Sequence, residues 1–259
     1  MFLRIVFVSI LACLVLTNSV LAEDSLNNNF KSSLEGSDNL TIIQNIGQPL
    51  LYNGLYPLAE GTGYVAKQYS LQAAWNELAY SLTDGLSIGT QPVLFVYRTP
   101  NVSLKAKLFQ NSQHAIALNT GLNVLLQNSA ELFSKHYTTE IKNPNSNVFV
   151  LPVGLSHSYH FNQYLDFHHT FSSLNQFAES DIENKATFAY SAILQVNVLK
   201  NQSIFFHGGD VGLSNNEVLY LGASYRYTGK TFFAQLGYFL RYKDSTTEKL
   251  PLFDLGFIL

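Results

Sequence analysis

The sequence predicts an all-β protein: a single closed antiparallel up-and-down transmembrane β-barrel of about twelve strands, with ten as the alternative. Three observations carry that expectation. From residue 64 to the C-terminus, apolar and polar side chains alternate with a period of two in stretch after stretch. Short turns and longer polar loops separate those stretches by turns. Charged residues make up only 13% of the 259-residue chain and aromatic residues reach 14%, whereas soluble proteins carry about 25% charge. A barrel that shows every second side chain to lipid has this composition.

The N-terminus reads as an export signal. Arg4 supplies the positive start, Ile5 to Leu16 the apolar run, and Val20-Leu21-Ala22 the small or short side chains before a cleavage site. Cleavage is expected after Ala22. The apolar run is too short for a spanning helix, which needs about 20 residues. A rival lipoprotein site at Ile10-Leu11-Ala12-Cys13 would leave Leu14-Val15-Leu16 behind the lipidated residue and places Leu11 where a small side chain is preferred. Cleavage after Ala22 removes the single Cys, the single Met and Arg4, so the net charge moves from −3 to −4. No disulfide or thiolate metal site can then form, and the acidic balance argues against a nucleic-acid partner. No cofactor is expected. Residues 23–49 read as a polar leader and 50–259 as the barrel.

The strands follow in order. Residues 50–66 are interrupted by Asn53-Gly54 and Gly61-Thr62-Gly63, yet a first strand is expected there because an even count requires one. Ser70 to Leu82 changes phase near Asn76-Glu77, as at a β-bulge. Leu86 to Tyr97 contains Pro92, and Val148 to His160 contains Pro152; a central strand tolerates neither easily. Val102, Leu104, Ala106 and Leu108 oppose Ser103, Lys105 and Lys107. Along Thr187 to Val198, Glu217 to Tyr227 and Phe232 to Tyr242 the alternation is clear. A final strand is expected at Pro251 to Leu259.

Short turns are expected at Thr83-Asp84-Gly85, Asn111-Ser112-Gln113, Asn162-Gln163, Lys200-Asn201 and Gly229-Lys230, and longer loops at about 127–147, 176–184, 208–216 and 244–250. Outer-membrane barrels carry short periplasmic turns and longer external loops. Counting back from a descending last strand gives twelve.

The last ten residues, Leu250-Pro251-Leu252-Phe253-Asp254-Leu255-Gly256-Phe257-Ile258-Leu259, resemble the terminal assembly signal of bacterial outer-membrane β-barrels, with Phe253, Leu255, Phe257 and Leu259 on one face. That class usually ends in an aromatic residue, and this chain ends in Leu259. Tyr80 to Gly89 also resembles the strand–turn–strand phrase of such barrels. The resemblance implies outer-membrane lipid around the barrel and insertion by the barrel-assembly machinery through the last strand. It implies no activity.

If the apolar faces meet lipid, the lumen receives Lys105, Lys107, Arg226 and Arg241, with Asp166, His168 and Asp254 as counter-charges. Such a set either selects small polar solutes in a narrow channel or forms ion pairs that fill and stabilise the interior. His157, His160, His168 and His169 fall on two neighbouring strands. Ser156 and Ser158 flank His157 and so project from its opposite face, which argues against a nucleophile–base pair on one strand. Only His160 and His168 are expected to approach each other in the lumen, too few for a metal centre. In His207-Gly208-Gly209-Asp210 the glycines are expected to turn the chain into an external loop. The leading reading is a non-enzymatic barrel, either a narrow channel or a structural surface protein. An outer-membrane lipid hydrolase and a soluble secreted β-sandwich are the alternatives.

Overall fold

A computed structural model describes residues 61–74, 77–96, 98–126, 147–178, 185–211, 218–243 and 246–259. The expected signal peptide and leader lie outside the described residues. Twelve strands form one closed antiparallel sheet. They are β1 (Leu71–Ala74), β2 (Leu78–Thr83), β3 (Leu86–Thr90), β4 (Asn101–Gln110), β5 (His114–Leu125) and β6 (Val148–Asn162). The second half comprises β7 (Leu165–Ala178), β8 (Lys185–Leu199), β9 (Gln202–Val211), β10 (Val218–Thr228), β11 (Phe232–Lys243) and β12 (Thr246–Ile258). Each strand pairs with its sequence neighbours, and β1 closes on β12 through Gln72↔Ile258, Ala73↔Phe257 and Ala74↔Gly256. A second sheet layer does not exist among the described strands, so the β-sandwich alternative is overturned.

Closure gives the period of two its meaning. From Leu250 onward, side chains along β12 alternate strictly between exposed and buried, with Phe253, Leu255 and Phe257 outside and Leu252, Asp254 and Ile258 inside. The outside carries Leu118, Leu155, Phe171, Phe188, Leu221, Leu236 and Tyr238, all exposed. Inside lie Ser156, Thr170, Ser191, Arg226, Gln235 and Asp254, all buried. Polar in and apolar out is the reverse of a soluble barrel.

Several expectations are corrected. The strand before β2 is Leu71–Ala74, not a segment within 50–66, and residues 61–66 form no strand. The phase change near Asn76-Glu77 is a hairpin, since Leu71 faces Tyr80 and Ala73 faces Leu78. One expected strand thus becomes two, and the total stays at twelve. Strand β3 stops at Thr90, and Pro92 opens a short helix, α1 (Pro92–Val96); proline suits a first helical position because its missing N–H has no partner there anyway. The last strand starts at Thr246, so most of the loop expected at 244–250 is strand. Strand β9 runs on to Val211, so His207-Gly208-Gly209-Asp210 lies within the sheet.

Pro152 sits in the middle of β6 and is still paired with Leu174 of β7. On its other side the β5–β6 ladder keeps one register but skips from Thr120↔Val153 to Asn123↔Val150. The missing N–H therefore falls where that ladder is interrupted, and the Thr120 hydroxyl donates to the Pro152 carbonyl at 3.1 Å. Proline is tolerated because no ladder bond is demanded of it.

Placing a charge in the outer belt tests this orientation. Ala223→Arg, outward at the middle of β10, is expected to lower folding stability in lipid vesicles by about 2–4 kcal/mol, and Leu219→Arg near the strand end by about 0–1 kcal/mol. Urea titration of vesicle-inserted protein reads both.

Candidate functional site

The lumen has two unlike walls. On β9–β12 it is filled by rings. Tyr220 lies opposite Gly209, Phe239 opposite Gly222, and Phe233 opposite Gly256. In each pair the ring occupies the space a glycine Cβ would need. The three glycines thus serve close packing of rings laid flat across the neighbouring strand. Arg226 is sandwiched between the Phe205 and Phe233 rings, with its guanidinium carbon 5.2 and 5.0 Å from their centroids. It donates through Nε (2.9 Å) and Nη2 (2.5 Å) to Gln235 Oε1. Gln235 in turn donates to Ser224 Oγ at 2.7 Å, and His207 Nε2 shares that hydroxyl at 2.9 Å. Asp254 acts on Arg226 electrostatically. A buried guanidinium held by a neutral amide and two ring faces needs such a compensating carboxylate nearby.

On β5–β8 the wall is polar and hydrogen-bonded across strands. Asn119 Nδ2 donates to Ser156 Oγ at 2.6 Å, and the Ser156 and Thr170 hydroxyls meet at 2.8 Å. Ser158 Oγ lies 2.7 Å from His168 Nδ1, and His168 Nε2 lies 3.0 Å from Gln195 Oε1. Gln195 donates to Asn197 Oδ1, Asn197 donates to Asp166 Oδ2, and Asp166 Oδ1 meets His160 Nδ1 at 2.5 Å. Because Gln195 offers an oxygen, His168 donates to it from Nε2, which in a neutral imidazole leaves Nδ1 to accept. The Ser158 hydroxyl then donates to His168 and keeps its lone pairs for another donor.

That donor comes from the chain itself. Gly61, Thr62, Gly63, Val65 and Ala66 are buried against this wall. The Gly63 N–H donates to Ser158 Oγ at 2.8 Å, and the Thr170 hydroxyl reaches the Gly61 carbonyl at 3.4 Å. The Tyr64 ring stands edge-on to His168, with centroids 6.4 Å apart. A Cβ on Gly63 would overlap the Ala115 carbonyl, so only glycine brings the backbone this close. The chain then leaves the lumen at the short-turn end, where the Gln68 N–H donates to Asp84 Oδ1 and Tyr69 reverses direction at φ 63°.

Of the residues expected in the lumen, Lys105, Asp166, His168, Arg226, Arg241 and Asp254 are buried, and Lys107 is half-exposed next to a register shift in β4. Asp254 acts on Arg226 as an expected counter-charge, while two other pairs involve partners not expected. Arg241 pairs with Glu248 at 3.0 Å, a residue the sequence placed in a loop. Asp166 pairs with His160. His160 and His168 go to different partners rather than to each other.

His157 and His169 point outward and join a third residue that the sequence did not single out, His114. The nitrogens of His114 and His157 meet at 3.0 Å, and those of His157 and His169 at 2.8 Å. His157 spends one nitrogen on each neighbour, so the three rings form a row and not a ligand set. No group of three or more His, Cys, Asp or Glu side chains among the described residues is arranged to hold a metal. The same-strand argument against a hydrolase is corrected too: Ser158 meets His168 across β6 and β7, because they are directly opposed in register.

No protein-family model matches the sequence, and no curated protein does. Solved structures similar in outline are bacterial outer-membrane proteins. A loop-deletion variant of OmpT, an outer membrane protein of Vibrio cholerae, is 10% identical with a TM-score of 0.47, over 71% of this chain and 62% of its own. The KdgM porin is 8% identical with a TM-score of 0.46, over 73% and 95%. The CymD monoaromatic hydrocarbon channel is 8% identical with a TM-score of 0.39, over 70% and 71%. The likeness is one of outline, and the barrel assignment stands on the strand ladder.

The ring-filled wall makes a checkable demand. Arg226→Ala is expected to destabilise the barrel by about 1–3 kcal/mol, the cost of leaving the Gln235 acceptor unsatisfied. Arg226→Lys should restore only part of that, since an ammonium cannot fork onto one oxygen from between two rings. Denaturant midpoints of the two variants read the difference.

Proposed function

We propose that this protein is a non-enzymatic outer-membrane barrel, a narrow channel for small polar solutes that rests closed. The observation that carries the reading is the seat of residues 61–66. A lumen packed shut by its own side chains has no room for a length of backbone. This one holds such a segment against a wall of hydroxyls, amides and imidazole. Withdrawing the segment leaves a polar corridor along β5–β8, with Lys105 and Asp166 as the charges nearest to that path on neighbouring strands. Lipid surrounds the apolar belt, and insertion proceeds through the C-terminal strand.

A hydrolase is the second reading, favoured by the Ser158–His168–Gln195 chain, since a nucleophile within reach of an oriented base is the general signature of acyl transfer. The Ser158 hydroxyl, however, is fully buried and already accepts the Gly63 N–H. Lipid hydrolysis by the wild-type protein that is lost in Ser158→Ala would establish the hydrolase instead.

Planar-bilayer recording tests the channel. Wild-type protein is expected to give small, brief steps, and Lys105→Glu to shift the reversal potential in a salt gradient toward cation preference, because a buried charge beside a narrow path dominates ion selection. Silence of both proteins at all potentials would leave a structural barrel.

A further inference from the structure

We propose that the lumen wall around Ser158, Thr170 and His168 is a binding subsite for a glycine-containing peptide, and that Gly61-Thr62-Gly63-Tyr64 is its built-in occupant. The inference deepens the channel reading and rests on it for solute entry; binding itself is separable from conduction.

The recognition uses groups that every peptide has. Ser158 Oγ takes a backbone N–H at 2.8 Å, and the Thr170 hydroxyl reaches a backbone C=O two residues earlier. Both wall groups are held ready by partners outside the contact. His168 accepts from Ser158 and is itself oriented by Gln195. Thr170 is bound by Ser156, which Asn119 fixes. A site whose donors and acceptors are set by a supporting layer does not have to rearrange when its occupant changes.

The wall also discriminates. At the position of Gly63 the nearest atoms to an added Cβ are the Ala115 carbonyl and the Ser158 backbone nitrogen. These belong to the sheet, with Ala115 and Ser158 paired in register, so they cannot yield as a side-chain tip would. Glycine is therefore required at this subsite. The next residue of the occupant presents an aromatic edge to His168. The ligand class is a short peptide with glycine followed by an aromatic or other flat side chain.

Affinity should be low for a free peptide. A short tether supplies its segment at an effective concentration in the millimolar range, so a site evolved to release that segment needs only a comparable dissociation constant. A free competitor then acts at about millimolar concentration.

The test uses full-length protein in which the occupant is dislodged while the wall is untouched. Gly63→Ala does this by overlap, and Val65→Asp by burying an unpaired carboxylate; either variant serves if it keeps heat-modifiable gel mobility. Both are expected to raise conductance several-fold over wild type. Acetyl-Gly-Thr-Gly-Tyr-amide should then restore blockade at millimolar concentration, and acetyl-Gly-Thr-Ala-Tyr-amide should not. Adding Ser158→Ala should raise the half-blocking concentration about 5–10-fold, the equivalent of one hydrogen bond. Open variants that no peptide blocks would overturn the inference and leave the channel standing. If the folded variants stay silent, the channel reading fails, and fluorescence anisotropy of a dye-labelled Gly-Thr-Gly-Tyr peptide on the same protein in detergent decides the inference: saturable binding weakened by Ser158→Ala upholds it, and no binding overturns it.

Discussion

A backbone amide in hydrocarbon has no water to bond with, so every N–H and C=O that crosses a membrane must find its partner within the protein. A sheet meets that condition only by closing on itself. Here closure is made by the shortest strand of the barrel. Leu71–Ala74 bridges β12 and β2, and the seam is finished by reciprocal bonds of 2.8 Å between Leu71 and Leu259. The C-terminal residue is thus part of the closing ladder. The chain enters this seam strand directly from the lumen, through the reversal at Tyr69. Seam and luminal segment are mechanically continuous.

Once the sheet is closed, the two faces have different tasks. The outside needs only apolar area, and Leu, Phe, Val and Tyr provide it. The inside must be filled or hydrated, and the two walls solve this separately. On β9–β12, glycines opposite Tyr220, Phe233 and Phe239 let rings lie flat and close the space permanently, with Arg226 held between two of them. On β5–β8, small hydroxyl and amide side chains leave room, and the chain's own residues 61–66 take it. One half of the lumen is therefore filled by rings and the other by a segment of the chain's own backbone.

The inward and outward assignment of most strands could be read from period-two alternation, because it depends on neighbours in sequence. The count of twelve rests instead on the turns and loops and on an even number, with a first strand placed in 50–66 that the fold puts at Leu71–Ala74. The first hairpin could not be read. A hairpin between strands of four and six residues looks the same as a bulge in one long strand, since both reverse the phase. The proline at 92 was a true warning of a strand end. The one at 152 was not, because the β5–β6 ladder skips the pairs opposite it while keeping its register. Contacts between strands were illegible for the same reason. His114 joins His157 only because β5 and β6 meet in a register set across the 127–147 connection. Ser158 meets His168 only through the register of β6 on β7. The Gly61-Thr62-Gly63 run was legible as a breaker of regular structure, while the wall it leans on was not.

The account stands on β10 having one face in lipid and one in the lumen. A single-cysteine nitroxide series along Leu219–Tyr227 in lipid vesicles, in a background with Cys13 absent, measures this directly. Oxygen accessibility should oscillate with a period of two, high at 219, 221, 223, 225 and 227 and low at the positions between. Low accessibility at the odd positions, or no oscillation, would mean that those side chains pack against protein and would contradict the account.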